Sequence, residues 1–355
     1  MNKLIIIGNG FDLAHGLNTR YIDFVNWYLR NAVDEYYLNG KYIDSLIELS
    51  GLDIKIEKPR IKDARDFEKF TKRLTSFAFS NKSDFLRGLI DKSNLDNWVD
   101  IESEYYSKLV RFYKDNEIND SKYWETIKNS VRALNTQFDF ITEILIRYLK
   151  QIEFSISIKN ERIAEILVNI STDFFTSDLD NTSENKLLIL NFNYTSVLNL
   201  YSEELYQSDS FDIINIHGSI DDVNNPIIFG YGDEMDPFYE KIENLNSNEF
   251  LRHIKSFGYF KTSNYRNFLR FVEDNEYEVY IMGHSCGISD RILLNSIFEN
   301  EKCKGIQIFY HKKSETENDY FEKTQEISRH FRPQNKDSMR RKIVPFDKCI
   351  PLTLI

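Results

Sequence analysis

The chain has 355 residues, of which 41% are hydrophobic and 14% aromatic, enough for one large domain or two ordinary ones, and too apolar for a disordered protein. Its net charge of −11 argues against a broad nucleic-acid footprint, while a local field can still favour an anionic small ligand. Cys286, Cys303 and Cys349 are far apart with no C-x-x-C, which excludes a zinc ribbon and argues against a disulfide framework; with no signal-like N-terminus and no run near the ~20 apolar residues of a membrane span, the expectation is a cytoplasmic protein without membrane or metal.

In chain order, Leu4-Ile5-Ile6-Ile7 reads as a strand buried on both faces of a parallel sheet. It breaks at Gly8-Asn9-Gly10, and a helix with apolar Tyr21, Phe24, Val25 and Tyr28 follows, with Thr19 as its N-cap. Strand, Gly-rich turn and helix is how nucleotide-binding α/β proteins open, although Leu13 breaks the G-x-G-x-x-G spacing. From there to about residue 170 the pattern is mostly helical. A short hairpin is expected within 39–66, and helices at 67–80, 82–92, 102–114, 122–152 and 160–170. The stretch 171–184 is rich in Asp, Ser, Thr and Asn and reads as a loop. Then strands recur at 187–190, 211–216, 278–282 and 306–310. An apolar run at 226–229 is counted with them because it ends in Gly230. Helices are expected at 237–256, 263–274 and 315–331, with a last extended piece at 342–346.

Polar, Gly-containing clusters end these strands: Gly8-Asn9-Gly10, Asn191 to Thr195, His217-Gly218, Gly230 and Gly283-His284-Ser285. Ligands of open α/β sheets bind outside the carboxyl ends of the strands, so five such clusters predict one shared site. The expected fold is α/β, a Rossmann-like parallel sheet built from 1–21 and 185–355, with a large helical insertion at 22–184. That insertion carries no site motif and is the candidate for regulation or oligomer contacts.

Gly8-Asn9-Gly10-Phe11-Asp12-Leu13-Ala14-His15-Gly16-Leu17 with Thr19 and Tyr21, then Asn191-Phe192-Asn193-Tyr194-Thr195, His217-Gly218 and Gly283-His284-Ser285, resemble the AbiH family of bacteriophage abortive-infection proteins. More distantly the same motifs resemble the Sir2-like (sirtuin) NAD-binding fold. Its G-A-G-I-S…G-I-P loop matches Gly8 to Gly10 and Gly16-Leu17, Q-N-I-D matches Phe192 to Thr195, and the catalytic H-G matches His217-Gly218. F-G-E and G-T-S match Phe229-Gly230 and Gly283-His284-Ser285. The sirtuin zinc module has no counterpart, since the cysteines are unpaired. The resemblance therefore implies cleavage of NAD to nicotinamide and ADP-ribose rather than protein deacetylation.

On that reading Asn193 and His217 are catalytic. Asn193 holds ribose hydroxyls and orients water, and His217 is a general base. Gly8, Asn9, Gly10, Phe11, Asp12, His15, Thr19, Tyr21, Thr195, Gly230, Gly283, His284 and Ser285 surround the nucleotide, with Gly8 to Gly10 N–H groups on the diphosphate and Ser285 favoured over His284 for contact. Plainer readings stand beside these. His217 also suits a hydrogen-bonded structural histidine, Asn193 a helix cap, and Asp12 and His15 capping and packing. Asp290 reads as an N-cap and Cys286 as a small buried residue. Three functions follow: an NAD glycohydrolase that arrests infected cells, a non-catalytic nucleotide-sensing or assembly module, and an ADP-ribosyltransferase. The expected partners are a small-molecule nucleotide, a phage-derived trigger and further copies of the chain, with neither nucleic acid nor membrane.

Overall fold

Four consecutive apolar residues after Asn2 and Lys3 leave no polar face, so the first strand has to be covered on both sides. In the computed structural model, which describes residues 1–51, 57–74, 78–96, 100–118, 123–176, 186–205 and 211–353, all six residues of that strand are buried. In chain order the elements are β1 (Asn2–Ile7), α1 (Asn9–Leu13), α2 (Tyr21–Asn39), β2 (Tyr42–Ile43), β3 (Ile47–Leu49), α3 (Ala64–Thr71), β4 (Phe79–Asn81), α4 (Asp84–Asp96), α5 (Ile101–Ile118), α6 (Trp124–Glu153) and α7 (Glu161–Thr176). There follow β5 (Leu187–Asn191), α8 (Ser202–Leu205), β6 (Phe211–Asn215), α9 (Tyr239–Glu243), α10 (Asn248–Leu251), α11 (Lys255–Gly258), α12 (Asn264–Asp274), β7 (Tyr277–Met282), α13 (Arg291–Phe298), β8 (Cys303–Phe309), α14 (Tyr320–Arg329) and α15 (Lys336–Lys342).

The chain folds into two units, one of 1–17, 149–235 and 254–355, the other of 18–148 and 236–253. The first holds a five-stranded sheet in the order β6-β5-β1-β7-β8, every pair parallel. Ile5 lies opposite Ile189 on one side and Tyr280 on the other. Alternate residues serve opposite layers. Leu4 and Ile6 join a core with Phe268, Leu293 and Ile327, from α12, α13 and α14. Ile5 and Ile7 join one with Ile163 and Leu167 of α7 and Tyr201. A parallel sheet covered by helices on both faces, with β1 central, is the Rossmann-like arrangement. Its strand order reverses between β1 and β7, so the crevice at their carboxyl ends is where such folds bind ligands.

The second unit combines helices with a three-stranded antiparallel sheet in the order β2-β3-β4. Its centre is aromatic. The Tyr105 and Phe138 rings pack tilted by 38° with centroids 4.3 Å apart, and the Tyr105 hydroxyl donates to Asn135 Oδ1 at 2.6 Å. Among the described residues, no helix is long and apolar enough to cross a membrane.

Several local expectations need correction. The run 226–229 is irregular chain, not a sheet strand, and is buried only at Ile228 and Phe229; the Ile228 N–H donates to the His217 carbonyl at 2.8 Å, without a ladder. Residues 79 and 80 of the expected helix 67–80 belong to β4, while 75–77 lie outside the described residues. The expected helix 237–256 breaks into α9, α10 and the start of α11. Residues 171–176 continue α7, and the rest of the expected loop 171–184 lies outside the described residues. Arg20 rather than Thr19 is the N-cap of α2, with no side-chain capping bond.

Candidate functional site

The carboxyl edge of the sheet is built from short polar peptides that follow buried strands. After β1 the chain turns at Gly8 straight into α1, so the expected open Gly loop is itself a short helix. Its N–H groups are largely spent. Gly8 donates to the Met282 carbonyl at 3.2 Å, Gly10 to the Gly283 carbonyl at 2.8 Å, and Phe11 to the Gly8 carbonyl at 2.8 Å. Glycine is needed here for close packing between chain segments rather than for room around a phosphate. A Cβ on Gly8 would stand 2.5 Å from His284 Cα, and one on Gly10 would stand 2.7 Å from the Gly283 oxygen. The expectation that Gly8 and Gly10 N–H groups cradle a diphosphate is therefore corrected.

One turn into α1, Asp12 is 2% exposed and faces the peptide after β5. Asn193 Nδ2 donates to Asp12 Oδ1 at 2.7 Å and to the Gly8 carbonyl at 3.1 Å. Thr195 Oγ1 donates to Asp12 Oδ2 at 2.8 Å. The peptide is held from below by a ladder of asparagines. Asn191 Oδ1 accepts from the Asn193 N–H at 3.1 Å, and Asn191 Nδ2 donates to Asn215 Oδ1 at 2.9 Å. Burial, against the Thr195 and Asn193 hydrogen bonds and with help from the Glu153 charge, pushes the Asp12 carboxyl up to about 7.

A second cluster centres on Asp290. Lys255 Nζ pairs with Asp290 Oδ1 at 2.7 Å, and His217 Nε2 stands 3.3 Å from the same oxygen. His284 Nε2 lies 3.7 Å from Asp290 Oδ2. Burial pushes the Asp290 carboxyl up, but the Lys255 charge, with the neighbouring His217 and its hydrogen bond, holds it well below the usual carboxylate range. Burial and then the Lys255 charge push His217 down, against Asp290, so it is a neutral base at pH 7. Burial pushes His284 down to about 3; its Nδ1 accepts from the Cys286 N–H at 2.9 Å, which places the ring proton on Nε2, towards Asp290. Phe192 packs against both histidines of this cluster. Its ring lies 5.0 Å from His217 and 4.2 Å from His284, centroid to centroid. Tyr259 closes the other side, its hydroxyl 3.3 Å from His217 Nε2 and its ring nearly parallel to the imidazole.

The structure thus gathers Gly8, Gly10, Asp12, Asn193, Thr195, His217, Gly283 and His284 at one sheet edge. Phe11 is wholly buried below it. His15 faces the helical layer instead, its Nδ1 on the Phe11 carbonyl at 2.7 Å and Nε2 on the Tyr201 hydroxyl at 2.6 Å. Asn9 and Ser285 are exposed, and Gly230 is buried in the irregular segment. Thr19 and Tyr21 belong to the other unit. Cys286 is buried, its thiol pushed up by burial to about 12, which suits packing rather than nucleophilic chemistry. Asp290 and Lys255 are the residues sequence reading missed. Asp290 does occupy the N-cap position of α13, but makes no side-chain cap bond. Among the described residues no group of three or more His, Cys, Asp or Glu side chains is arranged to hold a metal.

Comparison with known families matches residues 4–312 to the model described as bacteriophage abortive infection AbiH. No curated protein matches the chain.

Proposed function

The chain belongs to the AbiH family of bacteriophage abortive-infection proteins, and from that premise we propose that its site hydrolyses NAD+ to nicotinamide and ADP-ribose. The observation that carries the reading is the placement of Asn193 and His217. They follow neighbouring parallel strands, β5 and β6, at the carboxyl edge of the sheet, each backed by a buried carboxylate, Asp12 and Asp290 respectively.

The bond to break joins nicotinamide to the ribose anomeric carbon. As it lengthens, positive charge develops on that carbon and the ring oxygen, as in glycoside hydrolysis. Nicotinamide leaves with the bonding electron pair and is neutral. Water adds to the anomeric carbon, and His217, neutral at pH 7, takes its proton and later returns it to solvent. Asp290 stabilises the imidazolium that forms, and Lys255 keeps Asp290 ionised. In the structure His217 Nε2 is shared by Tyr259 and Asp290, so a bound ribose or water has to displace the Tyr259 hydroxyl. A resting site closed in this way suits an enzyme whose activity harms its own cell.

The test is to mix purified protein with NAD+ and follow nicotinamide release. His217→Ala should fold and lose about 10²–10⁴-fold in rate, and Asn193→Ala should also lose turnover. Binding with no nicotinamide released would favour a nucleotide-sensing module. Transfer of label from NAD+ to protein or nucleic acid would make the site a transferase. Absence of both binding and products would end the nucleotide reading.

A further inference from the structure

Asn193 can meet a ligand through either end of its amide, and those ends read opposite chemistry. An N–H₂ donates to phosphate, carboxylate or carbonyl oxygens. A carbonyl oxygen accepts from hydroxyls and repels anions. Which end faces outward is settled by what the other end touches. Here the Gly8 carbonyl and Asp12 Oδ1, at 3.1 and 2.7 Å from one amide atom, are both acceptors, so that atom is the nitrogen and both of its hydrogens are engaged. Thr195 Oγ1, which also donates to Asp12, holds the carboxylate from its second oxygen and fixes the peptide 193–195 against α1.

We infer that Asp12 is a positioning residue: by engaging the Asn193 N–H₂ it leaves the Asn193 carbonyl oxygen as the ligand-facing group, so that this part of the site selects the hydroxyls of a sugar ring and not a phosphate. This deepens the NAD+ reading and rests on it. It places the ribose next to the nicotinamide at Asn193 and the diphosphate elsewhere. It also revises Asp12, which does not touch the ligand. Glu153 on α6 is the other charge facing Asp12, and is itself held by the Ser196 N–H at 2.8 Å and hydroxyl at 2.6 Å. His15, in the turn that follows α1, is turned away to Tyr201.

Two substitutions separate positioning from mere support. In Asp12→Asn the new carbonyl can still accept from Asn193 and the new amide can donate to Thr195, so the outward oxygen is kept. In Asp12→Leu only the Gly8 carbonyl is left to accept from Asn193, one bond in place of two, so the amide is no longer held at both hydrogens and can turn its nitrogen outward. The probes are ADP-ribose and its analogue lacking a hydroxyl on the terminal ribose, with affinities measured by calorimetry. The wild-type protein should prefer ADP-ribose by about tenfold, the worth of one hydrogen bond to a neutral group. Asp12→Asn should keep that preference, and Asp12→Leu should bind both probes alike, at the weaker affinity. A preference unchanged in Asp12→Leu, or lost equally in Asp12→Asn, overturns the assignment and leaves the nucleotide reading intact.

A measurement on the wild-type protein covers the case in which Asp12→Leu does not fold. With asparagine side chains labelled, both Asn193 amide hydrogens should stay protected from exchange when ADP-ribose is added. If ADP-ribose draws one of them out of its bond, the ligand is read by the nitrogen and the assignment fails. If the wild-type protein binds neither NAD+ nor ADP-ribose, the nucleotide reading fails and the assignment falls with it.

Discussion

Asp12 shows how a single residue can trade stability for an ordered site. Its folded carboxyl titrates at about 7, well above its ordinary 3.8, chiefly because burial disfavours the charge. A group whose folded value is raised binds its proton more tightly in the native state. Its contribution to stability is therefore present in full below pH 3.8 and is lost as pH rises through 7. Asp12→Asn keeps the hydrogen bonds and removes the buried charge, so we expect it to stabilise the protein by about 1–3 kcal/mol at pH 8 and by little near pH 4. Urea unfolding at the two values checks this; equal effects at both would show that the carboxyl is not destabilised by burial. Asp290 is the opposite case, a buried carboxylate kept ionised by Lys255. Its position before α13 reads locally as a cap, and no local pattern could reveal a histidine 73 residues upstream.

Elements buried on both faces were the legible part of the chain. β1, β5, β7 and β8 carry apolar runs that a parallel sheet requires, and the polar peptides after β1, β5 and β7 marked its carboxyl edge. The run 226–229 was misread because two buried apolar residues, Ile228 and Phe229, give the same signal in irregular chain. The reason for the glycines was misread as well. Gly8, Gly10 and Gly283 look like room for a ligand in sequence, whereas in the fold they let the peptide after β7 lie across the start of α1. Gly283 takes a left-handed φ of 75°, and a Cβ there would collide with the Phe11 nitrogen. Gly283→Ala should therefore cost roughly 2–4 kcal/mol through strain and a displaced α1. Gly16→Ala has a similar φ and nothing within 4 Å of a Cβ, and should cost only about 1 kcal/mol for the φ itself. Thermal melts of the pair separate contact from conformation; equal losses would mean that packing of the two segments contributes nothing.

Across the whole molecule, the unit that holds the sheet also concentrates buried, neutral histidines. Burial pushes His284 down to about 3 and His330 to about 4, and His15 and His217 also fall below the ordinary 6.5. A histidine with a depressed folded value contributes stability above pH 6.5 and loses it as pH falls, because the unfolded chain takes up the proton first. Asp12 acts in the other direction over the same range, but the histidines outnumber it. Between pH 6.5 and 4 the unit of 1–17, 149–235 and 254–355 should therefore lose stability at roughly 1 kcal/mol per pH unit at the steepest, the net of His284 and His330 over Asp12. The unit of 18–148 and 236–253 contains only His253. Hydrogen exchange at pH 5 should thus open β1, β5 and β7 well before the core around Tyr105 and Phe138. Asp12→Asn should steepen the acid loss by removing its only identified opponent, even while it raises stability at pH 8. Protection lost first around Tyr105 and Phe138, or an acid slope made shallower by Asp12→Asn, would mean that these buried groups do not govern the acid response.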